Sequence, residues 1–197
     1  MSAVRPLRDQ RFADLEDAAE RLLRAVGEDT DREGLVETPR RVAESLAYLT
    51  DGYGVDPRSV VRGALYAHAG EEPVIVRNIA FFSLCEHHLL PMFGRCHIAY
   101  VPNGRVIGLS KLPRLVNLFA HRLQLQERLT SEIADAIQGV LDSPGVAVVM
   151  EARHMCIEMR GVEKSESETV TSSMLGEYRV DARLRAEFLE VLRPANR

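Results

Sequence analysis

The sequence predicts an α+β domain, with antiparallel strands and helices segregated to one face, preceded by a helical arm. Three observations predict it. Apolar residues recur at helical spacing through the first fifty positions. From residue 73 the composition turns β-branched and aromatic and contains an Asn-Gly turn signal. From residue 110 the helical period returns, interrupted by two strand-like stretches before a last helix.

Taken in order, residues 9–26 read as an amphipathic helix with Leu15, Ala18, Ala19, Leu22, Leu23 and Val26 on one stripe, closed by Gly27. A second helix starts near Thr38-Pro39, with Thr38 as N-cap and Pro39 in the first helical position. It carries Val42, Leu46 and Leu49 and ends by Gly52. Residues 51–72 hold Gly52, Gly54, Pro57, Gly63 and Gly70 and read as a connection. The expected organisation is therefore an arm and connection over 1–72 and a catalytic domain over 73–197. Pro73 to Leu84 reads as a strand, and Arg95–Val101 and Arg105–Leu109 read as a hairpin around Pro102-Asn103-Gly104. Leu112, Leu115, Val116, Phe119 and Leu123 form a helical stripe that breaks near 124–126 and resumes at Leu129, Ile133, Ile137 and Val140. Gly145–Met159 and residues 166–174 read as strands, and Asp181–Leu192 as a closing helix. A four-stranded sheet of this kind buries exposed edges by oligomerising.

Composition narrows the function. The net charge is −4 over 197 residues, so no broad basic surface for nucleic acid is expected. A few Lys or Arg residues still suffice for one phosphorylated small molecule. The N-terminus lacks a signal-type apolar core, and no run approaches the ~18 apolar residues of a membrane span. The expectation is a cytoplasmic protein without a membrane partner, whose Cys85, Cys96 and Cys156 are reduced.

The sharpest chemical signal is Cys85-Glu86-His87-His88. Cys85 and His88, three apart on a turn, project together, and thiolate with imidazole is a zinc-type pair. His154-Met155-Cys156 lies far along the chain; on a strand, His154 and Cys156 share a face. Cys85, His88 and Cys156 make three ligands, the number of a catalytic zinc that leaves a fourth place for water. His87 and His154 are then free to move protons. Two other readings stand beside this one: a structural zinc completed by His87, His154 or Cys96, and chance proximity. Cys96 and His97 read as packing residues within a strand. There is no Walker loop. Ser110-Lys111 with Arg114 one turn later lies at an expected helix start, where an anion or plain solvent would be accommodated. Glu127, beside Gln126 at the helix break, is either a dipole partner or a carboxylate able to accept from guanine N1–H and its 2-amino group. Arg160-Gly161 is a phosphate contact or a strand-end turn.

These segments together resemble GTP cyclohydrolase I. The matching pieces are Glu37-Thr38-Pro39 with Arg41, Cys85-Glu86-His87-His88, Tyr100-Val101-Pro102, Val106 to Leu112 with Arg114, Gln126 to Thr130, His154-Met155-Cys156 and Arg160-Gly161-Val162. They occur in family order and span residues 9 to 192. The resemblance implies the tunnelling fold (T-fold) and a homodecamer of two stacked pentamers with active sites at subunit interfaces. It implies zinc on Cys85, His88 and Cys156, and guanine recognition by Glu127. Gln126 would lie against ribose or base, with Ser110, Lys111, Arg114, Arg160 and Arg41 on the triphosphate. The implied reaction turns GTP into 7,8-dihydroneopterin triphosphate and formate, the first step of tetrahydrofolate and pterin synthesis. Water activated by zinc attacks C8, His154 protonates N7, and His87 assists ribose opening before rearrangement and ring closure. The nitrile reductase of queuosine synthesis shares the fold but works through a Cys nucleophile and NADPH; Cys-Glu-His-His with a distant His-x-Cys favours the zinc hydrolase.

Overall fold

A computed structural model describes residues 4–193. The chain separates into two compact units after Asp51.

The first unit is a pair of helices, α1 (Val4–Ala25) and α2 (Thr38–Leu49), packed on each other. Small buried residues, Ala19 and Ala43, mark this unit's core. Arg11 Nη2 donates to Thr50 Oγ1 at 2.6 Å and ties the start of α1 to the end of α2. The helix start lies one residue earlier than the spacing predicts. Glu37 is the cap, and Thr38 is already helical because the preceding turn leads straight in, with Thr38 N–H on Leu35 O at 2.9 Å.

The second unit begins within the expected connection, which contains the short helix α3 (Pro57–Val61) and strand β1 (Leu65–Ala67). Asp56 caps α3 by accepting from Arg58 N–H. There follow β2 (Val74–Cys85), β3 (Pro91–Tyr100), β4 (Arg105–Ile107), α4 (Lys111–Ala120), β5 (Leu123–Gln124), α5 (Gln126–Leu141), β6 (Gly145–His154), α6 (Met155–Glu158), β7 (Thr169–Gly176), α7 (Glu177–Val180) and α8 (Ala182–Leu192). The main sheet runs β5-β2-β3-β6-β7, antiparallel except for the short parallel β5–β2 pair.

Two expectations change here. The Asn103-Gly104 turn forms, with Gly104 at φ 68°, but its flanks do not pair as a hairpin. Both edges of β3 are already taken, since Tyr100 lies opposite Val74 of β2 and Val146 of β6. The strand after the turn pairs with β1 instead, Ile107 opposite Leu65. The strand expected to run to Met159 stops at His154, because β3 offers its last partner at Met92. The chain then makes one helical turn, α6, closed by Met159 N–H on Met155 O at 3.1 Å.

Strand alternation sorts the core. Ile98, Tyr100, Val146, Val148 and Met150 face α4 and α5, whose buried stripes include Leu112, Leu115, Val116, Leu129, Ile133 and Ile137. Ala99, Ala147 and Val149 lie on the other face, under Tyr178 of α7 and Phe188 of α8. Farther along that face Phe82 is 61% exposed. Among the described residues no helix is long and apolar enough to cross a membrane.

Candidate active site

Strand β2 ends at Cys85, and the backbone wraps back on that residue. Cys85 O accepts from His88 N–H at 3.3 Å and Leu89 N–H at 2.9 Å, and Cys85 N–H reaches Leu90 O at 2.9 Å. Leu89 takes a left-handed φ of 55° to close the turn. The turn brings His88 Nδ1 within 3.7 Å of Cys85 Sγ. Cys156 arrives from α6, one residue into the helical turn rather than on the strand face shared with His154. Donor atoms of Cys85, His88 and Cys156 all lie within 4.8 Å of one another. Cys96 stays apart, fully buried in mid-strand, with its thiol pushed far up by burial.

These side chains fit a metal ion. Burial pushes the Cys156 thiol up, and the neighbouring Cys85 adds to the shift. Two adjacent thiolates repel, and a divalent cation between them removes that penalty. Two sulfurs and one imidazole nitrogen form a soft donor set. Three protein donors also leave one place open in a four-coordinate site.

His154 is the last residue of β6 and is half-buried. Its Nε2 lies 2.7 Å from Gln126 Oε1. Burial lowers its pKa, against the opposing pull of the Glu127 and Glu158 carboxylates. Glu127 is exposed in the first turn of α5, where unpaired N–H groups favour a carboxylate. His87 is exposed, its ring edge-on to His88 with centroids 6.1 Å apart. Arg160 Nη1 sits 3.1 Å from His88 Nε2.

The site thus gathers Cys85, His88, Cys156, His154, Gln126 and Arg160, with Glu127 close enough to act on His154 electrostatically and His87 beside His88. Residues 15–193 match the GTP cyclohydrolase I family.

The chain belongs to the GTP cyclohydrolase I family.

It is an enzyme of that family, and the match covers nearly its whole length. The GTP cyclohydrolase 1 of Chlorobium phaeovibrioides is 56% identical over 173 residues, 88% of this chain and 78% of that protein. That of Campylobacter curvus is 51% identical over 177 residues, 90% of this chain and 93% of its own. That of Leptospira biflexa is 52% identical over 179 residues, covering 91% and 98%. Among solved structures, the archaeosine synthase QueF-Like in its apo form covers 54% of this chain and 96% of its own at 16% identity, with a TM-score of 0.46.

Arg160 apart, the residues that the family resemblance places on the triphosphate lie on other elements. Ser110, Lys111 and Arg114 stand at the start of α4, and Ser110 makes no side-chain cap bond. Among the described residues no hydrogen bond or ion pair joins these three to the Cys–His–Cys group. Arg41 is an exposed residue of α2 in the first unit. Gln126, placed by resemblance against ribose or base, is only 2% exposed. Its side-chain amide is committed inside the chain, to Met150 O, Thr169 O and Thr171 Oγ1 at 2.9–3.1 Å.

Sequence reasoning missed the supports of the site. Glu86 N–H reaches Gln124 O at 3.1 Å, and the Glu86 carboxylate pairs with Arg128. Arg128 also donates to Gln124 Oε1 and Leu123 O, each at 3.0 Å. This lattice fixes the metal-type turn to β5 and the start of α5. Both ends of it lie inside quoted motifs, Cys-Glu-His-His and Gln-Glu-Arg-Leu-Thr, but spacing alone does not pair residues forty apart.

Proposed function

We propose that this chain is a zinc-dependent hydrolase that converts GTP and water to 7,8-dihydroneopterin triphosphate and formate, the entry to pterin and tetrahydrofolate synthesis. The observation that carries the reading is the convergence of a three-donor metal group with a half-buried histidine and a carboxylate. Family membership supports GTP as the substrate. Cys85, His88 and Cys156 would hold the ion. Bound there, zinc supplies a Lewis acid that lets water act as a nucleophile near neutral pH.

The chain's own residues do the rest. Glu127 accepts from guanine N1–H and the 2-amino group, fixing the base. His154 takes up a proton from water and passes it to purine N7, which makes C8 electrophilic and the imidazole ring ready to open. His87 exchanges protons at the ribose once formate has left. Two hydrolytic cleavages followed by a dehydrating ring closure consume one water overall, and no redox partner is required. Ser110, Lys111, Arg114, Arg160 and Arg41 are proposed for the triphosphate, as charge partners for a strongly anionic group. Because Ser110, Lys111 and Arg114 are not bonded to the metal group, completion of the site by a neighbouring subunit is part of the proposal. The exposed Phe82 and the outer edge of β7, unpaired among the described residues, support assembly, for which we propose a decamer in the cytoplasm.

The test incubates purified, zinc-loaded protein with GTP and follows formate and dihydropterin absorbance. Both products should form, vanish on chelation and return with zinc. GTP binding without formate would end the hydrolase reading.

A further inference from the structure

We infer that Gln126 is a positioning residue, which fixes the ring and tautomer of His154 so that Nδ1 is the atom that moves the proton. The inference rests on the reaction proposed above for the role of His154, and on hydrogen bonding alone for the tautomer.

Gln126 is the first residue of α5 and is buried to 2% exposure. Its amide orientation is decided by its neighbours. Nε2 faces two backbone carbonyls, Met150 O at 3.1 Å and Thr169 O at 2.9 Å. Carbonyls only accept, so the atom turned to them must be the NH₂ group. The same nitrogen reaches Thr171 Oγ1 at 3.1 Å. Thr171 is held in turn by Thr130 Oγ1 at 2.6 Å, and Thr130 bonds back to Gln126 O at 2.7 Å. Three elements, α5, β6 and β7, therefore pin one amide. What remains is Oε1, an acceptor, 2.7 Å from His154 Nε2.

An acceptor at that distance requires a donor, so Nε2 carries the hydrogen. Nδ1 is left as the unprotonated nitrogen of the neutral ring. When the ring takes up a proton from water, Nε2–H stays on Gln126 and the second proton resides on Nδ1. Delivery of that proton to purine N7 returns the ring to its starting tautomer with the Gln126 bond intact. The bond thus persists in both protonation states, and the ring does not have to rotate between them. This assigns Gln126 a task other than touching the substrate.

The wild-type test reads the tautomer directly. Metal-loaded protein carrying ¹⁵N-histidine is measured at pH 8 by solid-state ¹⁵N NMR, with the His154 signal identified by its loss in His154→Asn. The expected result is a protonated Nε2 and a bare Nδ1. The opposite tautomer, or rapid exchange between the two, overturns the inference, and no substitution at Gln126 is needed to see it. Gln126→Met, close in volume and without polar atoms, should then bring both tautomers into the spectrum. It should lower kcat with GTP by about tenfold or more, short of the roughly 10²–10⁴-fold that a general acid itself contributes, while KM and bound zinc stay within twofold. A raised KM with kcat preserved would show that Gln126 contacts the substrate after all. Should wild-type protein release no formate from GTP, the proposed reaction fails, while the tautomer still decides the role of Gln126.

Discussion

Gly94 lies mid-way along β3, opposite Ala152 of β6. A Cβ built there would stand 1.8 Å from Glu151 O and 2.8 Å from Ala152 Cα, where ordinary contact begins at 3.4 Å. Both obstacles are backbone atoms of the neighbouring strand, so no side chain can swing away. In Gly94→Ala the two strands must part, or the pairs from Phe93–Arg153 to Met92–His154 must slip. Either response displaces His154 at the end of β6. Overpacking of this kind costs about 1–3 kcal/mol. One or two ladder hydrogen bonds lost with it add roughly 0.5–1.5 kcal/mol each. With a Tm shift of about 2–4 °C per kcal/mol at this chain length, melting should fall by roughly 5–15 °C. Formate release should fall further than stability alone dictates, because the displaced strand carries His154. Calorimetry and the formate assay, run beside Gly139→Ala, give the answer. Gly139 is helical and its Cβ would meet nothing within 4 Å, so alanine there should gain up to about 1 kcal/mol. A Gly94→Ala protein that melts and turns over like wild type would refute the close approach of β3 and β6.

Three further outcomes are expected. Phe188→Ala removes a fully buried ring that meets Tyr178 edge-on at 5.9 Å; chemical denaturation should show a loss of about 3–5 kcal/mol. In metal-free native protein, a thiol reagent followed by peptide mapping should modify the partly exposed Cys156 well before Cys96, which is fully buried with its thiol pushed far up; prior zinc loading should protect Cys156. His97 is buried, with Nδ1 accepting from Asn78 N–H at 3.2 Å and Nε2 without a hydrogen-bond partner. Burial lowers its pKa, the Glu151 carboxylate pulls the other way, and Arg95 and Arg77 lower it further. A base with a depressed folded pKa binds fewer protons folded than unfolded. Its contribution to stability is present above the unfolded value of about 6.5 and is lost as pH falls below it. His97→Gln should flatten the acid side of the stability–pH curve, and an unchanged slope would count against this assignment.

Much of the site was legible because its chemistry sits in short segments. Cys85 and His88 are three apart, so any tight turn brings them together, and the observed turn does. Glu127 falls in a helix first turn because the apolar stripe breaks just before it. Local rules were weaker wherever a choice depended on a distant strand. The Asn103-Gly104 turn was visible, yet which strand its exit would join depended on both edges of β3 being filled. His154-Met155-Cys156 read as strand throughout, but the ladder stopped where β3 ran out of partners, and Cys156 came from a helical turn instead.

The sequence by itself determined the periodicities, the buried stripes of α4 and α5, and the identity of the soft donors. These depend on residues within a few positions of one another. Only the tertiary structure decided that Cys156 would stand beside Cys85, that Arg128 would hold Glu86, and that Gln126 would turn inward to His154. Each of these is a contact across dozens of residues, fixed by sheet register and by the need of buried polar groups to find partners. Nothing in local spacing encodes which partner will be within reach.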